Sequence, residues 1–322
     1  MIEAVRAAIT EEMERDERVL VLGEDVGRKG GVFGATDGLY ARFGEARVLD
    51  TPLAESAIVG VAIGAALNGL IPIAEIQFAD FIHPAFDQIV SEAARTRYRS
   101  NGDWNVPLVI RAPFGGGVHG GLYHSQSIEA FYAHVPGIKV VVPSTPADAH
   151  GLLKTAIRDP DPVLFLEHKK VYRLLTEEVP DGDHLLPIGP AVVRREGSNV
   201  SCFAWGLMTH YCLEAADRLE GEGISVEVVD LRTLAPLDRE TILASVRKTG
   251  RALVVHEDNL TGGFGAEVAA TISQHAFDGL DAPVTRVAAP DIPAMPFNTP
   301  GEDFFMPSPE KIAEAIRQLA AY

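Results

Sequence analysis

The sequence predicts a two-domain α/β protein, and three observations carry that prediction. Its 322 residues exceed the roughly 150 that an average single domain organises. Short β-branched runs alternate with longer helix-like stretches from end to end, the pattern of parallel strands joined by crossover helices. One segment, VYRLLTEEVPDGDHLLPIGP, breaks the alternation and gathers Pro180, Gly182, Pro187, Gly189 and Pro190. The expected organisation is an N-terminal parallel-sheet domain at 1–178, a linker at 179–190 and a smaller α/β domain at 191–322.

In the first domain a helix is expected at 2–15, where acids and bases mix at helical spacing, followed by the strand RVLVLGED. A helix at 52–69 comes next, with Thr51 as its cap and Pro52 as its first helical residue. Almost no polar residue follows, so this helix should be buried on all sides, and Gly60 and Gly64 leave room for another backbone. The strand IPIAEIQF, a helix at 83–98, the strands PLVIRAP and IKVVVPS, a helix at 146–158 and the strand VLFLEH complete the domain. In the second domain the strands NVSCFAW, ISVEVVDL, RALVVHE and PVTRVA alternate with helices near 207–222, 238–248, 262–277 and 309–321. No fixed-period repeat or low-complexity tract is present.

Composition narrows the function classes. With 47% hydrophobic and 23% charged residues the chain reads as an ordinary soluble protein. The best membrane-span candidate, 53–70, is interrupted by Glu55 and Asn68 and falls short of the roughly 20 apolar residues needed. Against 28 basic residues stand 45 acidic ones, and the net charge of −17 disfavours nucleic acid. Cys202 and Cys212 make neither a CxxC pair nor a disulfide framework, which points to a reducing compartment. The opening MIEAVRAAITEEMERDERV has no apolar signal stretch, so a cytoplasmic location is expected, or the mitochondrial matrix for a processed form.

Three segments carry candidate chemistry. Glu55 is the ionisable group of the apolar helix at 52–69. It is either a first-turn acid that complements the helix dipole from a solvated end, or a desolvated carboxyl group that shares a proton with a ligand nitrogen; the second reading is preferred. RAPFGGGVHGGLYHSQS follows a strand end, where open α/β sheets bind ligands. Its glycines Gly115, Gly116, Gly117, Gly120 and Gly121 permit unusual backbone angles, and His119 and His124 offer proton transfer near neutral pH. No lysine follows as in a phosphate-binding Walker loop, and the histidine spacing does not suit zinc. The alternative for His124 is a hydrogen-bonded loop histidine. In EIQFADFIHPAFDQI, Gln77, Asp80, Phe81 and His83 follow a strand; Phe78 and Phe81 either stack on a flat ligand or pack as core. Gly23-Glu24-Asp25 is a weaker candidate whose alternative is a capping turn. GGFGAE carries Val268 where a dinucleotide fingerprint needs its third glycine, which argues against NAD, and the absence of GxSxG argues against a serine hydrolase.

Taken together, GEDVG, RVLDTPLAES, AEIQFADFIHPAFDQIVSEAARTRYRS, GGGVHGGLYHSQS, VPGIKVVVPSTPADAHGLL, IRDPDPVLFLEHKKVYR, DLRTLAPLD and KTGRALVVHED resemble the beta subunit of the thiamine diphosphate-dependent 2-oxo acid dehydrogenase, the decarboxylating first component of multienzyme complexes. The resemblance runs through the whole chain. It implies an N-terminal transketolase-like domain that binds the pyrimidine end of the cofactor and a transketolase C-terminal-like domain. The catalytic glutamate after the DTP turn falls on Glu55, whose hydrogen bond to a pyrimidine nitrogen promotes ylide formation at the thiazolium carbon. The histidine of the HSQ segment falls on His124, which assists proton transfer as the acyl group passes to a lipoyl arm. Gln77 and Phe81 fall in the pyrimidine pocket, with phenylalanine where relatives often carry tyrosine. Backbone carbonyls of Ala156, Asp159 and Asp161 match a structural potassium site of some relatives.

The family's GDG motif and later asparagine, which hold magnesium and the diphosphate, have no counterpart; the nearest string, Asp181-Gly182-Asp183, lies in the linker. The resemblance therefore implies an alpha subunit that binds magnesium and the diphosphate, a particle of two alpha and two beta chains, and docking to a lipoylated acyltransferase core through its subunit-binding module. PDIPAMPF and HSQSIEAFYAHVPG favour branched-chain 2-oxo acids over pyruvate or acetoin. The reading from a different class is a noncatalytic scaffold relative, against which Glu55 and His124 together argue.

Overall fold

The computed structural model describes residues 1–180 and 182–322; Asp181 of the expected linker lies outside the described residues. The chain divides into two compact units, Met1–Phe114 with Phe131–Ile188, and Gly115–Ala130 with Gly189–Tyr322. The glycine-rich segment 115–130, assigned from sequence to the first domain, thus groups with the second unit.

The first unit contains α1 (Ile2–Arg15), β1 (Val19–Gly23), α2 (Leu39–Phe43), β2 (Val48–Asp50), α3 (Glu55–Leu67), β3 (Ile71–Glu75), α4 (Thr96–Arg99) and β4 (Val109–Phe114). After α5 (Glu129–Ala133), which crosses the division between the units, come β5 (Lys139–Val141), α6 (Pro146–Arg158) and β6 (Val163–His168). Its strands lie in the order β5-β6-β4-β3-β1-β2, all parallel. β3, β4 and β6 are buried along their whole length, as expected of parallel strands covered on both faces. Thr145 caps α6 through the amide of Asp148, with Pro146 in the first helical position. Arg158 at the far end of α6 reaches the buried Glu12 of α1 at 2.6 Å, which ties the first helix to the last crossover of the unit.

The second unit contains β7 (Val192–Arg195), β8 (Val200–Ala204), α7 (Leu207–Glu220), β9 (Val226–Asp230), β10 (Thr233–Ala235), α8 (Arg239–Thr249), β11 (Ala252–Asn259), α9 (Gly265–His275), β12 (Thr285–Ala289), α10 (Thr299–Phe305) and α11 (Pro309–Ala320). Five of its strands form a sheet in the order β12-β11-β8-β9-β7, parallel except for β7, which runs antiparallel to β9. No helix among the described residues is long and apolar enough to cross a membrane.

Two helix expectations need correction. α3 begins at Glu55 rather than Pro52, and Thr51 is not its cap: the Thr51 amide donates to the carbonyl of Gly23 at 2.9 Å, which continues the pairing of β2 along β1 and keeps 51–54 out of the helix. Nor is α3 buried on all sides in the single chain, since Val61 is 61% and the preceding Leu53 78% exposed. The helix expected at 83–98 is broken into a short 3-10 turn at His83–Ala85, a wide turn at Gln88–Ala93 closed by Ala94 N to Ile89 O at 3.0 Å, and α4.

Candidate functional site

In the first unit, the candidates gather at the carboxyl ends of β1 and β3. Gly23 ends β1 where no side chain fits, because a Cβ there would lie 2.6 Å from the carbonyl oxygen of Glu75. The chain then turns outward through Glu24 and Asp25. Glu55 opens α3 and is only 9% exposed, so its helix end is not the solvated one that a purely dipole-complementing acid requires. Burial, with the charge of Glu55 second, pushes the Glu24 carboxyl above the ordinary glutamate range, which puts these two acids in one electrostatic neighbourhood. Gln77 lies just past β3 and donates its amide to Asp25 Oδ2 at 3.3 Å. Lys29 donates to the same oxygen at 2.8 Å, and this bond holds the Asp25 carboxyl below its usual value. The Phe81 ring meets Phe78 edge-on at 5.6 Å, and Phe78 meets Phe33 at 5.5 Å. The structure thus brings Glu55, Gln77 and Phe81 to one end of one sheet, and it adds Glu24 and Asp25, which the sequence marked only weakly.

Behind this end lies a buried ionic cluster. Arg111 of β4 pairs in register with Glu75 of β3 and is wholly buried. Its guanidinium donates to Glu75 Oε2 at 2.6 Å and to both oxygens of Glu167 on β6 at 2.6 and 2.7 Å, while the Tyr172 hydroxyl donates to Glu167 at 2.6 Å. Burial holds the Glu75 carboxyl above its ordinary range in spite of the guanidinium beside it. Arg111 of β4 thereby ties together Glu75 at the carboxyl end of β3 and Glu167 near the end of β6, and Glu75 lies two residues before Gln77.

His124 belongs to the second unit, in the glycine-rich segment. The neck of this loop is closed by Gly115 N to Gln126 O at 3.0 Å. Its amides are turned onto acids from the far end of the chain. Gly116 N donates to Glu257 Oε1 at 2.5 Å, and Gly117 N and His119 N donate to Glu302 Oε1 at 3.0 and 3.1 Å. The His119 ring meets the other oxygen of Glu302 at 2.6 Å, so His119 serves this contact rather than standing free for proton transfer. A Cβ at Gly120 would lie 2.7 Å from the carbonyl of His124, and one at Gly121 would lie 2.7 Å from the Phe297 ring. Gly120 thus allows close packing, and Gly121, with φ of 65°, allows a left-handed backbone as well. Glu257 and Glu302 escaped the sequence reading, since each lies more than a hundred residues from the loop it holds.

GGFGAE also has a packing explanation. A Cβ at Gly263 would lie 2.6 Å, and one at Gly265 2.5 Å, from atoms of the His256 ring, which stacks on Trp205 at 5.7 Å. Trp205 in turn donates to the buried Glu129 at 3.0 Å. Burial, with the charge of Asp258 second, pushes the Glu129 carboxyl up to about 8, and burial pushes the His256 imidazole down to about 4.

At the 156–161 turn, Asp159 N donates to the carbonyl of Ala156 at 3.2 Å. Lys139 Nζ meets Asp159 Oδ1 at 2.8 Å, and Arg97 meets Asp161 Oδ1 at 2.5 Å. The carboxylates there already have cations of this chain. Among the described residues no cluster of three or more histidine, cysteine or acidic side chains has the arrangement of a metal centre.

Residues 1–174 match the family model described as transketolase, pyrimidine binding domain, and residues 189–312 match transketolase, C-terminal domain. The chain is 61% identical to the 2-oxoisovalerate dehydrogenase subunit beta of Bacillus subtilis, covering all of this chain and 98% of that protein. It is 52% identical to the pyruvate dehydrogenase E1 component subunit beta of the same organism over 100% of this chain and 98% of the other. A 2-oxoisovalerate dehydrogenase subunit beta 2, mitochondrial, of Arabidopsis thaliana is 53% identical over 99% of this chain and 88% of its own length. Among solved structures, an inactive beta4 tetramer of a split-gene transketolase superposes with a TM-score of 0.80 at 28% identity, covering 99% of this chain and 97% of that one.

Proposed function

The chain belongs to the 2-oxo acid dehydrogenase beta-subunit family, and from that premise we propose that it supplies the pyrimidine-binding half of a thiamine diphosphate site that an alpha chain completes. The observation that carries this reading is the burial of Glu55 in the first turn of α3, beside Glu24 and at the strand ends that also hold Gln77 and Phe81. An acid, an amide and an aromatic wall are the donor set a pyrimidine needs. They do not suit a diphosphate, and in the glycine-rich loop the amides of Gly116, Gly117 and His119 are already bonded to Glu257 and Glu302. The diphosphate and its magnesium therefore fall to the alpha chain.

When bound, thiamine diphosphate supplies the carbanion-stabilising chemistry that decarboxylates a 2-oxo acid. Glu55 holds or shares a proton at the ring nitrogen, and its burial strengthens that hydrogen bond by excluding water. Gln77 is oriented by Asp25, which takes its amide hydrogen and leaves Oε1 as the acceptor for a ligand. Phe81 offers a wall without a hydroxyl. His124 moves a proton as the acyl group passes to the lipoyl arm of an acyltransferase core. A potassium ion, where bound, takes the main-chain carbonyls of Ala156, Asp159 and Asp161.

The alpha chain covers the apolar surface formed by Val61 on α3 and Leu53 just before it, both exposed in the single chain. Two alpha and two beta chains make the working particle, in the cytoplasm, where the buried thiols of Cys202 and Cys212 stay reduced. Branched-chain 2-oxo acids are the preferred substrates, supported by 61% identity to the 2-oxoisovalerate enzyme against 52% to the pyruvate enzyme of the same bacterium. Pyruvate is the second reading, which the latter identity favours. With a cognate alpha chain, thiamine diphosphate and magnesium, the particle should decarboxylate 2-oxoisovalerate faster than pyruvate with an artificial electron acceptor, and Glu55→Ala should abolish that turnover. Wild-type turnover by an assembled Glu55→Ala particle would refute the reading.

A further inference from the structure

The loop that carries His124 looks, in sequence, like a cradle for a ligand anion, yet its amides point to anions built into the protein. Glu302 has a side chain only 3% exposed and gathers three donors: the amides of Gly117 and His119 on one oxygen and the His119 ring on the other. His119 is a non-glycine residue with φ of 55°, a conformation costing of order 1 kcal/mol that needs such support. Glu257, itself buried, holds the loop within the glycine cluster through Gly116 N at 2.5 Å and beyond it through Ser127 Oγ at 3.3 Å.

The mounting of Glu302 is rigid. Asn298 caps α10 through Gly301 N at 2.8 Å, and the Glu302 amide donates to the Asn298 carbonyl at 2.9 Å. Lys311 closes the other end of α10, donating to the carbonyls of Phe304 and Met306 at 2.8 and 2.6 Å. Glycines make the loop pliable, so its position must be imposed from outside. Two fixed acids, themselves 45 residues apart in sequence, impose it.

We propose that Glu302 and Glu257 are positioning residues: they act as internal anions that occupy the amide cradle of the glycine-rich loop and thereby hold His124 where it works. This inference rests on the role proposed for His124. A misplacement of about 1 Å in such a group costs on the order of 100-fold in rate, which sets the size of the expected effect.

The test uses the assembled alpha–beta particle and two readouts. Amide hydrogen exchange over 115–124 reads the clamp without any turnover, and acyl transfer to a free lipoyl domain reads its consequence. Glu302→Ala should speed exchange at Gly117 and His119 at least about tenfold and slow transfer on the order of 100-fold, while Glu302→Gln, which keeps a carbonyl oxygen for both amides, should restore most of each. Glu302→Ala combined with His124→Ala should be no slower than His124→Ala alone, because a misplaced group and an absent one are equivalent. Unchanged exchange in Glu302→Ala would overturn the proposal, as would losses that multiply in the double variant, which mean that Glu302 acts independently of His124. Wild-type transfer in His124→Ala alone would instead remove the role of His124 on which the proposal stands, a failure seen in a different variant.

Discussion

Replacing Arg111 by methionine tests the buried cluster behind the candidate site. The guanidinium is fully buried and makes three charge-assisted bonds of 2.6, 2.6 and 2.7 Å to Glu75 and Glu167. Arg111→Met removes all three and leaves two buried carboxylates with only the Tyr172 hydroxyl on Glu167. Removing one partner of a buried pair costs about 3–5 kcal/mol, because the remaining charge is uncompensated. At about 2–4 °C per kcal/mol for a unit of this size, the thermal midpoint should fall by about 10 °C. The loss should depend on pH, with a definite sign. Burial already holds the folded pKa of Glu75 above its unfolded value, and without the guanidinium it rises further. A carboxyl group with a raised folded pKa contributes stability that is complete below its unfolded pKa and is lost as pH rises through the folded one. The penalty of Arg111→Met should therefore be small near pH 4.5 and grow toward pH 8, whereas Arg111→Lys, which keeps charge without the two-pronged fork, should fall between the two proteins. Circular-dichroism melts of the three proteins at both pH values decide the matter. A shift under about 3 °C at pH 8, or an equal shift at both pH values, would show that the cluster does not carry the energy ascribed to it.

The second unit supports two further tests. Gly265→Ala places a Cβ within 2.5 Å of the His256 ring, which Trp205 backs from the stacked side, so it should cost about 1–3 kcal/mol in urea unfolding; Gly265→Ala with His256→Ala should recover part of that loss, and no recovery would remove the ring as the cause. Glu129, with its carboxyl pushed up to about 8, gives the second unit stability that is complete below the ordinary glutamate value near 4.5 and is lost as pH rises through about 8. Glu129→Gln keeps an acceptor for the Trp205 indole and should flatten the fall in melting temperature between pH 5 and 8, leaving the smaller contribution of Asp258, whose carboxyl is pushed up to about 6. An unchanged slope would assign the pH dependence elsewhere.

Legibility in the sequence follows burial and locality. VLFLEH and PLVIRAP announce β6 and β4 because parallel strands covered on both faces must be apolar runs. STPADA announces the start of α6, because cap and proline lie within four residues. β2 and β7 carry no such signal, being short strands at the sheet edges, where one side lacks a partner and the apolar pattern fades. The start of α3 escapes local signals for a related reason: Thr51 and Pro52 are good local helix starters, but the Thr51 amide is claimed by Gly23 of a neighbouring strand, and local preference yields to that pairing.

The amino-acid sequence by itself determined the α/β class, the family, the presence of an acid in an apolar helix and the histidine in a glycine-rich loop, because each is written in a contiguous stretch of chain. Only the tertiary structure decided what those groups face. It set Glu24 and Gln77 beside the α3 end that bears Glu55, and it filled the loop's amide cradle with Glu257 and Glu302, residues 141 and 185 positions away from the glycines they hold. No local signal encodes such partners, since hydrogen bonds and charges act through space and only the folded chain sets that distance.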